Sequence, residues 1–206
     1  MKKEGMLYTI VFIFGVSFAF VFLLSMTHQA TVEQVRLNQL LARQRAVLSA
    51  MGIEFVTDED VMERYGEIAS DPAAGLYAGR VDDRMVHAME FSGSGLWGLI
   101  SGVIAVTADL DEFIGIEIVD DNETPGLGGR INEEWYKAQF DGLPIPDPGI
   151  RVRMGNPDLD AGIIDGVTGA TGTSLAMESI VNRAIEEFRS PAVRLRLEEL
   201  AEGVDA

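Results

Sequence analysis

Two segments of this sequence place small and hydroxylated residues at a spacing that could hold a ligand. The first reads Asp165-Gly166-Val167-Thr168-Gly169-Ala170-Thr171-Gly172-Thr173-Ser174 and lies between an expected strand and an expected helix. Residues this small let backbone N–H groups approach a phosphate, and a helix N-terminus favours the negative charge. The lysine of a P-loop is missing. Thr173 or Ser174 could equally cap the helix, which makes a tight turn with an N-cap the plainer reading. The second segment, Glu123-Thr124-Pro125-Gly126-Leu127-Gly128-Gly129, follows the end of an expected strand. Pro125-Gly126 suits a turn, and the glycines remove bulk beside whatever packs there. An ordinary hairpin exit loop would look the same. Upstream, Leu96 and Trp97 stand between Gly95 and Gly98. They could form a flat apolar wall for a ring system, or Trp97 could be a core residue.

The elements that must position these segments can be read from periodicity. Thr31 to Gly52 has helical spacing of Val32, Val35, Leu40, Leu41, Val47 and Leu48, with Gly52 as the stop. Thr57 and Asp58 can cap a short helix over Glu59 to Tyr65. From Gly75 the texture turns to short strands up to Phe91. Val103 to Thr107 and Phe113 to Val119 form a hairpin pattern around Asp109-Leu110-Asp111-Glu112. Trp135 to Phe140 reads as a short helix, and Leu143 to Pro148 as a proline-broken loop. Ile150 to Met154 and Ile163-Ile164 read as further strands. Ser174 to Phe188 is an amphipathic helix with Leu175, Ile180, Val181, Ala184, Ile185 and Phe188 on its apolar side. Arg194 to Leu200 continues as helix. The expected fold class is α+β: an antiparallel sheet with flanking helices, preceded by one N-terminal transmembrane helix.

That transmembrane helix is the run from Met6 to Met26, which carries no charge and is long enough to cross the hydrocarbon layer. Lys2 and Lys3 precede it, while Glu33 comes before the next cation, Arg36. The positive-inside rule then keeps the N-terminus in the cytoplasm and exports the rest, although Arg43 and Arg45 weaken the bias. A cleaved signal peptide is the competing reading; it would have an unusually long apolar region and an imperfect site at His28-Gln29-Ala30. The expected organisation is a cytoplasmic N-terminus over 1–5, a transmembrane helix over 6–26, a connecting helical region over 27–74 and a ligand-binding domain over 75–206.

Composition narrows the chemistry. The 206 residues carry a formal net charge of -17, with 33 acidic against 16 basic residues, so phosphate-rich nucleic acid is a poor partner. There is no cysteine, which excludes disulfides, thiolate-held clusters and thiol catalysis within the chain. With only His28 and His87, a histidine metal site or triad is thinly supplied, and no catalytic or metal-ligating set stands out. Redox chemistry would need an organic cofactor.

Taken together and in order, Gly-Ser-Gly-Leu-Trp-Gly, Glu-Thr-Pro-Gly-Leu-Gly-Gly and Asp-Gly-Val-Thr-Gly-Ala-Thr resemble the FMN-binding domain family. Its members include the C subunit of the sodium-translocating NADH:quinone reductase and the G subunit of the Rnf complex. The resemblance covers nearly the whole chain. It implies FMN joined by a phosphoester to the motif's last threonine, here Thr171, with Asp165, Thr168, Gly169 and Ala170 as the rest of that motif. It places Glu123, Thr124 and Leu127, within the loop Glu123 to Gly129, beside the flavin, and Leu96-Trp97 on the ring's other side. It further implies a separate flavin transferase that draws on FAD with a divalent metal: the Thr171 hydroxyl attacks the FMN phosphorus and AMP leaves. By this resemblance the chain is an electron relay in the inner (cytoplasmic) membrane with its domain extracytoplasmic, working beside other membrane subunits that include another flavin subunit. Leu96-Trp97 and the doubled glycine Gly128-Gly129 look more like the NADH:quinone reductase subunit, while the chain is short for that protein, so the Rnf assignment stands as the alternative. A non-redox anchored module for binding or scaffolding is the reading from another class.

Overall fold

The computed structural model describes residues 3–204; Lys2 lies outside the described residues. The chain divides into two compact units, one up to Leu40 and one from Leu41 onward. Helix α1 (Lys3–Ala50) contributes to both.

In the first unit every side chain from Gly5 to Leu40 is exposed. The helix is long and apolar enough to cross a membrane, with a mean hydropathy of 2.5 over its most apolar window. The hydroxyls of Thr9, Thr27 and Thr31 donate to the carbonyls of Gly5, Leu23 and Thr27, at 2.8, 3.0 and 3.0 Å. This back-bonding satisfies the three hydroxyl protons on an apolar helix. The sequence reading expects a separate helix from Thr31; instead α1 is continuous, because neither glycine nor proline occurs between Val16 and Met51. Gly52 ends it as expected. At φ 74° it takes the left-handed conformation, its N–H donates to Ser49, and the next amide, Ile53, reaches back to the Leu48 carbonyl at 2.9 Å. This pair of bonds is a Schellman stop.

In the second unit the end of α1 is followed by α2 (Asp58–Gly66), capped by Thr57: the Thr57 hydroxyl accepts from the Asp60 amide while the Asp60 carboxylate accepts from the Thr57 amide. A five-stranded antiparallel meander follows: β1 (Ala69–Asp71), β2 (Leu76–Val81), β3 (Arg84–Ser94), β4 (Leu99–Thr107) and β5 (Phe113–Asp120), in that spatial order. The β2–β3 turn is Asp82-Asp83, both at positive φ, as a two-residue hairpin turn with matching twist requires. The helix expected over Trp135 to Phe140 is α3 (Glu134–Lys137) followed by a 3-10 turn through Phe140. Strands β6 (Arg151–Arg153) and β7 (Ile163–Asp165) form a separate two-stranded parallel sheet. Helices α4 (Thr171–Arg189) and α5 (Pro191–Val204) complete the unit. The fold is α+β with an antiparallel sheet and flanking helices, as the sequence indicates.

Side chains alternate across the sheet, so each face builds its own core. Met89, Phe91, Ile100, Ile104, Ile116 and Ile118 pack in one cluster with Met177, Ile180, Val181, Ala184, Ile185 and Phe188 of α4. Tyr77, Val86, Ala88, Val103 and Ala105 pack in the other with Ala46, Val47, Ala50 and Met51, the last residues before Gly52. Leu175, expected on the apolar side of α4, is exposed, and Met177 takes the buried position instead.

His87 on β3 is only 7% exposed, and its Nε2 has no hydrogen-bond partner among the described residues. It borders a cavity of about 440 Å³ whose charged lining comes from Arg194, Glu198 and Glu202 of α5. Burial pushes the imidazole below its ordinary pKa, and the Glu198 charge opposes this only in part. A base whose folded pKa is depressed costs stability as pH falls through its unfolded value of about 6.5, because the unfolded chain then binds the proton more readily. Thermal unfolding should therefore show the unit losing stability between about pH 7 and pH 5.5. His87→Leu should flatten that dependence; an unchanged slope in the variant would refute the assignment.

Candidate functional site

Three loops that are distant in sequence meet at the N-terminal end of α4. The first is the β3–β4 turn, closed by the Gly95 amide donating to the Gly98 carbonyl at 2.7 Å, with Leu96 and Trp97 at its tip. Trp97 is 72% exposed, so it is a surface side chain and not a core residue. The second loop leaves β5. The amides of Leu127 and Gly129 both donate to the Thr124 carbonyl at 3.1 Å, and Gly126 turns the chain at φ 74°. Thr124, Pro125, Gly126 and Leu127 are exposed there, while Glu123 and Gly128 are buried. The third loop runs from β7 into α4. The Ala170 amide donates to the Val167 carbonyl at 2.9 Å around Thr168 and Gly169, the latter at φ 83°.

Contacts bring the three together. A Cβ on Gly172 would lie 3.0 Å from Cδ1 of Leu96, and one on Gly169 would lie 3.3 Å from Cδ2 of Leu127. The first turn of α4 thus abuts the tryptophan loop, and the preceding turn abuts Leu127. Glu123 joins the same three loops from beneath. Its Oε1 accepts from the amides of Leu96 at 2.7 Å and Trp97 at 3.0 Å, and its Oε2 accepts from the Thr173 hydroxyl at 2.6 Å. Burial alone would raise this carboxyl's pKa, but the bonds from Thr173, Trp97 and Leu96 outweigh it and hold the group below the usual carboxylate range.

The four hydroxyls of the last loop divide cleanly. Thr173 is committed to Glu123. Ser174 donates to the Ala170 carbonyl and accepts from the Val167 amide, both at 3.0 Å, and both residues are buried. Neither caps α4, contrary to expectation: the helix starts three residues earlier than the sequence suggests, with Ala170 at the cap and no side-chain cap bond. Thr168 and Thr171 are exposed, and their hydroxyls have no partner among the described residues. Thr171 is the first residue of the helix, where amide N–H groups are left free by the missing cap.

Asp165, at the end of β7, has its bonds with residues outside the three loops. Its Oδ1 accepts from the Gly155 amide at 2.6 Å. Its backbone is gripped by Gln139, whose Oε1 accepts from the Asp165 amide at 2.6 Å and whose Nε2 donates to the Asp165 carbonyl at 3.2 Å. Sequence reasoning does not single out Gln139, Asp121 or Asn132. Asp121 accepts from the Glu123 amide at 2.8 Å and from Asn132 at 2.5 Å, which fixes the start of the second loop. No spacing pattern marks these three; only the fold brings them to the loops they hold.

An exposed, unpartnered hydroxyl at an uncapped helix start, flanked by the exposed apolar side chains Leu96, Trp97 and Leu127, fits a phosphate-tethered flat ring system. Comparison with known proteins shows an FMN-binding domain. A model of the FMN-binding domain family matches residues 95–186. The G subunit of the sodium-translocating ferredoxin:NAD(+) oxidoreductase complex of Acetobacterium woodii is 30% identical over 166 residues, 78% of this chain and 79% of that protein. The C subunit of the sodium-translocating NADH-quinone reductase of Yersinia pestis is 37% identical over 95 residues, which span 44% of this chain and only 36% of that protein. A crystal structure of the corresponding reductase subunit from Parabacteroides distasonis superposes with a TM-score of 0.65 at 20% identity, covering 81% of this chain and 96% of that one; this likeness concerns the fold. By the extent of these matches, the chain belongs to the FMN-binding domain family, which includes subunits of ion-translocating oxidoreductase complexes.

Proposed function

We propose that this chain is a membrane-anchored electron-transfer subunit that carries FMN covalently on Thr171. The observation that carries the reading is the state of the motif's hydroxyls: Thr171 is free, exposed and at the helix start, while Thr173 and Ser174 are buried and bonded. Thr171 would hold the phosphate through a phosphoester, with the first amides of α4 beside it. Leu96, Trp97 and Leu127 would flank the ring, and Thr124 would offer a polar contact at its edge. When bound, FMN supplies reversible one- and two-electron chemistry that a chain without cysteine otherwise lacks. The chain's own part is to hold the group and exclude water from its apolar side. The kinship with subunits of ion-translocating complexes supports a place in a multi-subunit membrane assembly, alongside a second flavin subunit and served by a flavin transferase. The C subunit of a sodium-translocating NADH:quinone reductase is the first assignment. The G subunit of an Rnf-type complex is the second, favoured by the longer alignment with the Acetobacterium protein. The apolar run Met6 to Met26 would be the anchor, with the domain outside the cytoplasm.

Co-expression with a flavin transferase, followed by a denaturing gel, tests the reading. Flavin fluorescence should migrate with the chain; a dark band from fully loaded cells would overturn it. Leu127→Ala gives a finer check. Leu127 is 45% exposed and lies over Gly169. The variant should keep its flavin through the phosphoester but shift the flavin's visible spectrum and potential. A spectrum and potential identical to wild type would place this loop away from the ring and leave Thr171 untouched.

A further inference from the structure

The resemblance places Glu123 beside the flavin, but its surroundings describe a different task. The residue is 6% exposed. Three donors converge on its two oxygens, from the tryptophan loop and from α4, and no cation pairs with it among the described residues. The glycines around it make room for the carboxylate itself. A Cβ on Gly95 would collide with Oε1, and one on Gly128 would lie 2.7 Å from Oε2 and 2.5 Å from the Thr173 hydroxyl. The space beside Gly95 and Gly128 is therefore filled from within the protein. Above this knot, Leu96 and Trp97 are too exposed for core packing to hold them. Their backbone is fixed by the Gly95–Gly98 bond and by Glu123.

We propose that Glu123 is a positioning residue: a buried anion that locks the Leu96–Trp97 wall to the first turn of α4 and makes no contact with the cofactor. The proposal rests on the reading that FMN sits at Thr171, and it adds a device that sets where the wall stands relative to that hydroxyl. A carboxylate suits this role because all three neighbours are donors and it needs none of its own protons. A carboxamide is only half a substitute. Its oxygen can still accept from Leu96 and Trp97, but its NH2 group can only donate, so the Thr173 hydroxyl must turn its own proton elsewhere and accept instead. The lock therefore has two separable sides.

Amide hydrogen exchange on the full chain in detergent, without flavin, tests the lock independently of the cofactor. Glu123→Ala should speed exchange at the Leu96 and Trp97 amides by at least about tenfold, the scale of losing a charge-assisted bond. Thr173→Val and Glu123→Gln should leave those two amides within about threefold of wild type, since the accepting oxygen remains. Helix content by circular dichroism checks folding; should Glu123→Ala fail that check, Glu123→Gln and Thr173→Val carry the test through the spectrum of the loaded protein. In protein loaded by the transferase, all three variants should keep covalent flavin but show an altered flavin spectrum. In Thr173→Val that change cannot come from a lost Glu123 contact with the ring, because Glu123 is still present. Unchanged amide exchange in a folded Glu123→Ala would overturn the proposal. So would a spectrum altered in Glu123→Ala and unaltered in Thr173→Val, since that pattern marks Glu123 as a direct flavin contact. If wild type takes up no flavin at all, the reading of Thr171 fails while the exchange result still decides the lock.

Discussion

Thr171→Ala should abolish covalent flavin entirely: after co-expression with a flavin transferase, its band on a denaturing gel should be dark where wild type fluoresces. The loop leading into α4 has one other free hydroxyl among the described residues, Thr168, three residues upstream in the turn closed by Ala170 and Val167. Thr168→Ala should therefore keep the fluorescence, and so should Thr171→Ser, which retains the hydroxyl. Thr173 and Ser174 cannot substitute without leaving the bonds that bury them. The loss would not be a folding artefact. Thr171 is exposed, makes no side-chain bond and does not cap the helix, so its truncation should change stability by no more than about 0.5 kcal/mol. Fluorescence that persists in Thr171→Ala and vanishes in Thr168→Ala would move the attachment to the turn.

The largest effect on stability should come from Phe113→Ala. Phe113 is fully buried at the start of β5, meets Phe140 edge-on with ring centroids 5.6 Å apart, and through Phe140 reaches the buried Tyr136. Removing the ring leaves a cavity under the sheet that rigid neighbours cannot close. The expected cost is about 3–5 kcal/mol. For a unit of this size that corresponds to a fall in Tm of about 6–20 °C. Thermal denaturation of the full chain in detergent measures it, and a fall below about 2 °C would show that the cluster is not packed as described. Flavin attachment at low temperature should survive, since Phe113 belongs to none of the three site loops.

What is legible in the sequence follows from which forces act locally. The capping box at Thr57, the left-handed stop at Gly52 and the hairpin around Asp109 to Glu112 are decided within a few residues, and each can be read there. The amphipathic pattern of α4 is readable too, but its start is not. Thr173 and Ser174 look like caps until Glu123, fifty residues earlier, claims the first, and Val167 and Ala170 claim the second. The edge of the sheet hides a similar departure. A register shift between Ala105 and Val106 puts Phe113 and Ile116 in the same core cluster despite their odd separation, which strict alternation would forbid. The parallel pairing of β6 with β7 leaves no local trace at all. At the site, the order of motifs points to three loops that the fold does bring together, whereas the supports Gln139, Asp121 and Asn132 are ordinary polar residues until the fold places them there.

The meander has a consequence for how the chain is made. Each strand pairs with its sequence neighbour, so the sheet can zip up hairpin by hairpin as soon as Asp120 has been added. Its cover comes late. The apolar face bearing Phe91, Ile100 and Ile116 waits for α4, whose first residue is Thr171, fifty-one positions further on (171 minus 120). At a ribosomal pace of about 5–20 residues per second, that interval lasts about 3–10 s. During it, a completed sheet shows one greasy side to its surroundings. A nascent chain stalled between Asp120 and Thr171 should accordingly be the form most prone to aggregation and most in need of a chaperone.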